Sequence, residues 1–151
     1  MLASNLTRCR RIGTVAGRAL HFSAAQAVKR FAPLDIHPEI QDALATNKPV
    51  VALETTLVTH GFPYPTNYEL ATSLEDIVRS TGAIPATIGI IEGRVKIGME
   101  RPMLERLADK TRYPNTVKVS RRDIGPMISA KMDGGVLDRS VLACFGSNVA
   151  R

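Results

Sequence analysis

The chain has 151 residues, with 20 Lys and Arg against 14 Asp and Glu, so its formal charge at pH 7 is +6. The excess is confined to one segment. Residues 1 to 34 contain six basic side chains and no acidic one, which leaves residues 35 to 151 with 14 of each sign. A neutral body argues against a nucleic-acid partner, because such binding gains most of its affinity from neutralising phosphates.

The composition excludes several other classes of protein. Hydrophobic residues make up 44% and charged residues 23% of the chain, which is typical of an ordered globular domain. Its apolar runs are far shorter than the roughly 20 residues that a bilayer span needs, so we expect no membrane partner. The only cysteines, Cys9 and Cys144, are too few for a disulfide framework or a Cys-rich zinc site.

Residues 1 to 34 have the composition of a mitochondrial transit peptide, because they are rich in Arg, Ser, Thr and Ala and free of acid. Residues 18 to 23 resemble a two-step processing site, which predicts a mature start near Val28. We therefore expect a mitochondrial protein. Two alternatives stay open, namely a disordered basic arm and a start codon placed upstream of the true one.

A helix and a strand are the first elements predicted in the body. Pro38 suits the first turn of a helix, and apolar residues continue at helical spacing as far as Asn47. Residues 49 to 53 form a short continuous apolar run, which is typical of a strand buried on both faces. This strand ends at Glu54.

A loop and a second helix come next in the chain. Residues 55 to 65 contain one Gly and two Pro, so we expect them to be a loop. Thr66 and Glu69 have the spacing of a capping box, and the helix that they begin is expected to end at Gly82. Its predicted apolar stripe consists of Leu70, Leu74, Ile77 and Val78.

The remaining segments alternate between strands and helices. Residues 86 to 91 and 95 to 98 are predicted strands joined by a tight turn at Gly93 and Arg94. A helix from Pro102, a strand at residues 116 to 119 and a short helix at residues 126 to 132 follow. The pattern predicts an α/β fold of α-β-α layers with a mainly parallel or mixed sheet.

Glu54 is the first candidate for chemistry. Ligands of α/β sheets bind where the carboxyl ends of strands meet the loops, and a partly buried carboxylate at such a place could act as a general acid. The alternative for Glu54 is a solvated carboxylate at the end of a strand.

Lys118 is the second candidate, together with Ser120, Arg121, Arg122 and Asp123. Alternation along the strand turns Lys118 away from its apolar neighbours, and three cations with a hydroxyl could hold one phosphate. The alternative is an ordinary surface with an ion pair between Arg122 and Asp123.

Two further patterns are weaker. His60 has no partner at metal-ligand spacing, so it is expected to be a turn residue. The glycines of residues 89 to 98 lie on a predicted hairpin, whereas a dinucleotide fingerprint needs a turn from strand to helix.

Three motifs, VALETTLVTHGFPYPTN, GAIPATIGIIEGRVKIGM and VKVSRRDI, occur in the order and approximate spacing of the pseudouridine-5'-phosphate glycosidase family, which residues 36 to 135 resemble. The resemblance implies an α-β-α fold and a small-molecule substrate, pseudouridine 5'-phosphate, cleaved reversibly at its C–C glycosidic bond to uracil and ribose 5-phosphate. It also implies manganese as cofactor and a homotrimer.

The resemblance carries two roles over to this chain. The proton donor of the VALE[ST]T motif falls on Glu54, and the substrate-contacting lysine of the KVSRRD motif falls on Lys118. A protonated carboxyl suits ring opening of the ribose or protonation of the departing base carbon, and a cation suits a phosphorylated sugar.

The chain departs from the family after Gly135. The family continues with a Thr-rich helix, a TGGxGGVHRG loop, a metal-ligating Asp and a Lys that forms an imine with the opened sugar, and residues 136 to 151 match none of these. We expect three segments, a transit peptide at 1 to 34, a truncated family domain at 35 to 135 and an unmatched tail at 136 to 151.

Two functions stay open for such a chain. It is a glycosidase by descent whose missing metal ligand and nucleophile leave it without turnover, or a non-catalytic fragment that binds phosphosugar weakly or associates with full-length subunits.

Overall fold

The computed structural model describes residues 33 to 136, which lie within one compact unit. The predicted transit peptide and the tail after Val136 lie outside the described residues. Within this range no helix is both long enough and apolar enough to span a bilayer.

The first half of the fold alternates short strands and helices. Its elements are β1 (Leu34–Ile36), α1 (Pro38–Ala45), β2 (Val50–Leu53), α2 (Thr56–His60) and α3 (Thr66–Ser80). Pro38 begins α1 as predicted, because its fixed φ suits the first turn and its missing N–H has no intrahelical partner there.

The second half contains a hairpin and two shorter strands. Its elements are β3 (Ile84–Ile91), β4 (Arg94–Ile97), α4 (Arg101–Ala108), β5 (Val117–Val119), a 3-10 turn (Arg121–Asp123), α5 (Ile124–Ser129) and β6 (Gly134–Val136). Glu92 and Gly93 both have positive φ in the turn between β3 and β4, which matches the right-handed twist of an antiparallel hairpin. The predicted tight turn is thus present, one residue earlier than predicted, and Arg94 begins β4.

The sheet is mixed, with β3 at its centre. The strand order is β1-β4-β3-β6-β5, and β2 pairs with the first half of β3. The pairs β1 with β4, β2 with β3 and β5 with β6 are parallel, whereas β3 is antiparallel to both β4 and β6. The fold class is confirmed, in its mixed form.

Helices cover both faces of the sheet. On one face, Ile40 of α1 and Met127 of α5 pack with buried residues of β3, β4, β5 and β6. On the other face, Val58 of α2, Ala71 of α3 and Leu104 of α4 form a second cluster with Ile91. Because most of β3 is buried under both layers, it reads as a continuous apolar run in the sequence.

Two local predictions are wrong. Residues 55 to 65 are not all loop, because α2 forms within them. Thr66 does not cap α3 but is its first residue, and Pro65 occupies the cap position. A capping box forms instead between Ser120 and Asp123, where the Asp123 backbone N–H donates to the Ser120 side chain and the Ser120 backbone N–H donates to the Asp123 carboxylate.

The burial predicted for β2 is also wrong. Among residues 33 to 136, β2 pairs with β3 alone, so it is an edge strand, and Val51 is 39% exposed. The stripe of α3 is open beside it, since Leu74 is 36% and Ile77 is 59% exposed. Hydrophobic periodicity shows which face of an element is apolar, but it does not show whether another element covers that face.

Candidate active site

The sheet brings the carboxyl ends of three strands together. β2 runs parallel to β3 and its last residue, Leu53, pairs with Thr87. β6 runs antiparallel to β3 and is described as far as Val136, so the end of β2 and this end of β6 face each other along β3. β5 is parallel to β6 and ends at the same place. A mixed sheet therefore creates here the meeting of strand ends at which α/β proteins bind ligands.

Thr55 joins the two strand ends. It is 0% exposed, its hydroxyl donates to the Ile88 carbonyl at 2.6 Å, and its Oγ1 accepts from the Val136 N–H at 3.0 Å. The Thr55 N–H donates to the Val136 carbonyl at 3.3 Å, and the Thr56 hydroxyl donates to the same carbonyl at 2.9 Å. We call these contacts the strand junction. It fixes the backbone directly after Glu54, and the pairing of Leu53 with Thr87 fixes the backbone before it.

Glu54 lies between Leu53 and the strand junction. Its side chain is exposed, which corrects the expectation of partial burial, and the cause is the open edge of β2. It borders a small cavity of about 20 Å³ whose apolar walls come from β2, α2 and α3, lined by Leu53, Leu57, Leu70 and Leu74. A substrate can reach this carboxylate directly, with an apolar wall on one side.

Lys118 is presented as the alternation predicted. Val119 is fully buried and Val117 half-buried on one face of β5, whereas Lys118 is exposed on the other. Its partner across the parallel ladder is Gly135, one residue before the strand junction. Glu54 and Lys118, 64 positions apart in the chain, thus stand at the same set of strand ends.

Gly135 is a glycine because α2 lies directly on it. A Cβ at this position would be 2.4 Å from Thr59 Oγ1 and 2.7 Å from the Thr55 carbonyl oxygen. Only a residue without a side chain lets α2 approach so closely. This packing sets the height of α2 above β5 and β6, and with it the position of His60.

The rest of the predicted phosphate cradle does not assemble as expected. The Ser120 hydroxyl is committed to Asp123 Oδ2 at 2.5 Å. This hydroxyl and the backbone N–H of Ser120 hold the pKa of Asp123 below its usual range. Within the described residues Arg122 forms no ion pair with Asp123, and both Arg121 and Arg122 are exposed.

His60 was predicted from the sequence to be only a turn residue. It ends α2, and its Nδ1 lies 2.8 Å from Thr59 Oγ1. Burial and the charges of Lys110 and Lys118 lower its pKa. Sequence spacing offered no signal for this, because the two lysines lie 50 and 58 positions further along the chain.

No group of three His, Cys, Asp or Glu side chains that could hold a metal ion occurs in residues 33 to 136. The described residues do not fit a metal site by themselves. We assign no chemical step at Glu54 or Lys118 to a metal.

Comparison with known proteins identifies relatives of this chain. A family model described as indigoidine synthase A like protein matches residues 39–141. A pseudouridine-5'-phosphate glycosidase of Staphylococcus aureus is 47% identical over 106 residues, which is 70% of this chain and 34% of that protein. A pseudouridine-metabolizing bifunctional protein of Schizosaccharomyces pombe is 48% identical over 109 residues, 71% of this chain and 14% of that protein.

Solved structures show the same fold. The prealnumycin C-glycosynthase AlnA, in complex with ribulose 5-phosphate, matches with a TM-score of 0.58 and 38% identity over 69% of this chain and 32% of its own. An indigoidine synthase A-like protein of Thermotoga maritima matches with a TM-score of 0.58 and 28% identity, over 70% of this chain and 32% of its own. The chain spans about a third of the length of the curated glycosidases that it matches.

Proposed function

The chain belongs to the family of indigoidine synthase A like proteins, and on this premise we propose that residues 35 to 135 are the acid-bearing part of a C-glycosidase. The proposed reaction cleaves the C–C glycosidic bond of pseudouridine 5'-phosphate to uracil and ribose 5-phosphate, reversibly. The curated relatives named pseudouridine-5'-phosphate glycosidase support this assignment. The observation that supports it is the meeting of the ends of β2, β5 and β6, since Glu54 follows β2 and Lys118 lies in β5.

Each of the two residues has a defined task in this proposal. Glu54 delivers a proton to the departing base carbon or to the ring oxygen of the ribose, and its exposure on the rim of an apolar cavity leaves it within reach of a substrate. Lys118 contacts the phosphorylated sugar as a cation. The complex of the C-glycosynthase neighbour with ribulose 5-phosphate supports a sugar phosphate as the ligand class.

The test separates rate from affinity. We would replace the residues after Gly135 by the corresponding carboxyl-terminal part of the Staphylococcus aureus relative and measure uracil release from pseudouridine 5'-phosphate with manganese present. In this chimera Glu54→Gln should abolish turnover and retain binding, because the amide is nearly isosteric but cannot deliver a proton. Lys118→Ala should weaken binding by roughly 1.5–3 kcal/mol, the range for a hydrogen bond to a charged group.

Exposed residues outside the site provide the controls. Glu69→Gln removes a negative charge from α3, as a control for Glu54→Gln, and Lys48→Ala removes a positive charge from the turn after α1, as a control for Lys118→Ala. Both variants should leave kcat and KM unchanged. If Glu54→Gln lost only affinity in calorimetry and steady-state kinetics, the role of proton donor would be wrong. If the chimera bound no pseudouridine 5'-phosphate, the substrate assignment would be wrong.

The 151-residue chain without this replacement should release no uracil. General acid catalysis contributes about 10²- to 10⁴-fold, and a lone acid does not supply the remaining acceleration. Uracil release by this chain above that of its Glu54→Gln variant would contradict the proposal.

We also propose that residues 1 to 34 direct import into mitochondria, since their composition is basic and acid-free. Fusion of this segment to a fluorescent reporter tests the proposal, and a diffuse cytosolic signal would contradict it. The homotrimer and the manganese implied by the resemblance are proposals for the chimera, to be tested by light scattering and by metal analysis.

A further inference from the structure

A second cavity lies at the opposite end of β5 and β6 from the strand junction, and we call it the amino-end cavity. Its volume is about 400 Å³, which is within the range of pockets that hold small ligands, roughly 300–1,000 Å³. Its walls are Arg106 of α4 and the two loops that enter these strands, residues 112 to 116 and residues 130 to 133. Because β5 and β6 are parallel, their amino ends lie together at one edge of the sheet.

Backbone hydrogen bonds hold both loops in place. The Val117 N–H donates to the Asp133 carbonyl at 3.1 Å and so joins the two walls. In the first loop, the Thr116 N–H and hydroxyl both donate to the Tyr113 carbonyl, at 3.3 and 3.0 Å. In the second loop, the Met132 N–H donates to a carbonyl of α5 at 3.0 Å. The amino-end cavity is therefore formed before a ligand binds, which lowers the entropic cost of binding.

Positive side chains outnumber negative ones in the lining of this cavity. The charged lining residues are Arg106, Arg112, Lys131 and Asp133. Arg106 donates to Asp133 Oδ2 at 2.7 Å and to Glu92 Oε1 at 2.9 Å, so the acids at this place are bonded to Arg106. Neither Arg112 nor Lys131 forms an ion pair with a carboxylate of residues 33 to 136. Their two charges create a local positive potential that a bound anion would relieve.

An aromatic ring positions the two arginines. The centre of the Tyr113 ring lies 5.2 Å from Cζ of Arg106 and 5.8 Å from Cζ of Arg112, and both distances allow a cation–π contact. The backbone N–H of Arg112 donates to Asp109 Oδ1 at 3.1 Å, which fixes the backbone from which the guanidinium extends. A contact with a ring orients a guanidinium without neutralising its charge, and its N–H donors stay available for an anion.

We propose that the amino-end cavity binds a small organic dianion, with Arg112 and Lys131 as its two charged contacts. A planar guanidinium donates to two carboxylate or phosphate oxygens at once, and a lysine ammonium adds a compact charged donor. Phosphate monoesters and dicarboxylates share this chemistry, and the experiment below distinguishes them. The inference does not depend on the proposed function, because neither Glu54 nor Lys118 lines this cavity.

The experiment follows backbone amide signals of the full 151-residue chain by NMR during titration with methyl phosphate or with succinate. Chloride at the same ionic strength is the reference, and a pH of about 8 keeps methyl phosphate dianionic, since the second pKa of a phosphate monoester is about 6. The amides of Asn115, Thr116 and Met132 should shift saturably with at least one probe. The probe that binds more tightly identifies the ligand class. The amide of Thr56, at the strand junction, should not shift at the concentration that half-saturates these signals.

Charge-removing variants test the two proposed contacts. Arg112→Gln and Lys131→Gln should each weaken binding of the probe by about tenfold, the effect of losing one charge-assisted contact. Both residues are exposed, so both variants should keep the amide spectrum of the folded chain. Arg101→Gln and Lys48→Gln are the matched controls, because each removes an exposed cation that does not line the amino-end cavity. Neither control should change the affinity.

Two results would overturn the inference. In the first, neither methyl phosphate nor succinate shifts the amides of Asn115, Thr116 and Met132 more than chloride does. In the second, Arg112→Gln and Lys131→Gln bind the probe as tightly as the two control variants do. If one of these variants lost the spectrum of the folded chain, the affinity of the other would decide the result.

Discussion

The end of β2 and the face of β2 are built in opposite ways. At the end, Thr55 is completely buried and its hydroxyl both donates and accepts a hydrogen bond. On the face, Val51, Leu74 and Ile77 expose apolar surface between the edge strand and α3. We call this second region the apolar groove. The contrast teaches that the position of Glu54 depends on polar bonds at the strand junction and not on closure of the apolar groove.

The physical reason is the difference between directional and area-dependent forces. A buried hydrogen bond needs one geometry, and an unpaired buried group costs about 1–3 kcal/mol. Apolar contact is roughly proportional to the area removed from water, so side chains that are already exposed contribute little. Substitutions in the two regions should therefore have very different effects on stability.

The largest effect is expected at Thr55. Thr55→Val keeps the shape of the side chain but removes the donor to Ile88 and the acceptor for the Val136 N–H, so the free energy of unfolding should fall by about 2–4 kcal/mol. Thr55→Ser keeps the hydroxyl and should lose about 1 kcal/mol for the methyl group. Urea unfolding measures these differences. Equal stabilities of the Val and Ser variants would show that the hydrogen bonds of Thr55 do not stabilise the strand junction.

The next effect is expected at Gly135. Gly135→Ala brings a Cβ against Thr59 and the Thr55 carbonyl, and overpacking of this kind costs about 1–3 kcal/mol. The double variant with Thr59→Ala should recover part of the loss, because one of the two obstacles is removed. Additive losses in a double-mutant cycle would show that α2 does not rest on Gly135.

A smaller effect with a pH signature is expected at Asp35. Hydrogen bonds from Arg94, at 2.6 and 2.8 Å, and from Lys96 hold the pKa of Asp35 far below its usual range. Because the pKa is lower in the folded state, the contribution is complete above the unfolded pKa near 4 and is lost as the pH falls through the folded value.

Asp35 is about a third exposed, so solvent screens these bonds and Asp35→Asn should cost only about 0.2–1 kcal/mol at pH 7. The difference between variant and parent should shrink as the pH is lowered below about 4. A difference that grew in acid would mean that Asp35 titrates in the opposite sense.

The smallest effect is expected in the apolar groove. Ile77→Lys should change the free energy of unfolding by less than about 0.5 kcal/mol, as for other exposed positions. Leu104→Ala, at a fully buried position of α4, should cost about 2–5 kcal/mol in the same assay. If Ile77→Lys destabilised the chain as much as Leu104→Ala, the apolar groove would be covered in solution. The claim that the groove contributes less to stability than the strand junction at the end of β2 would then be wrong.

The sequence by itself determined most of the strands and helices, although it missed β1, α2 and β6, and it proposed two site residues. Pro38, the continuous run of β3 and the turn at Gly93 are local signals, and a single strand or helix is decided by such local preferences. Alternation turned Lys118 away from the core without any tertiary information. Glu54 and Lys118 were proposed from motifs, because motif residues keep their spacing along the chain.

Only the tertiary structure decided how these pieces meet. The head-on approach of β2 and β6, the burial of Thr55 and the close packing of α2 on Gly135 depend on contacts between residues far apart in the sequence. The exposure of Glu54 and of the groove was decided in the same way. Periodicity gives the apolar side of an element, whereas burial requires a second surface whose position no local pattern encodes.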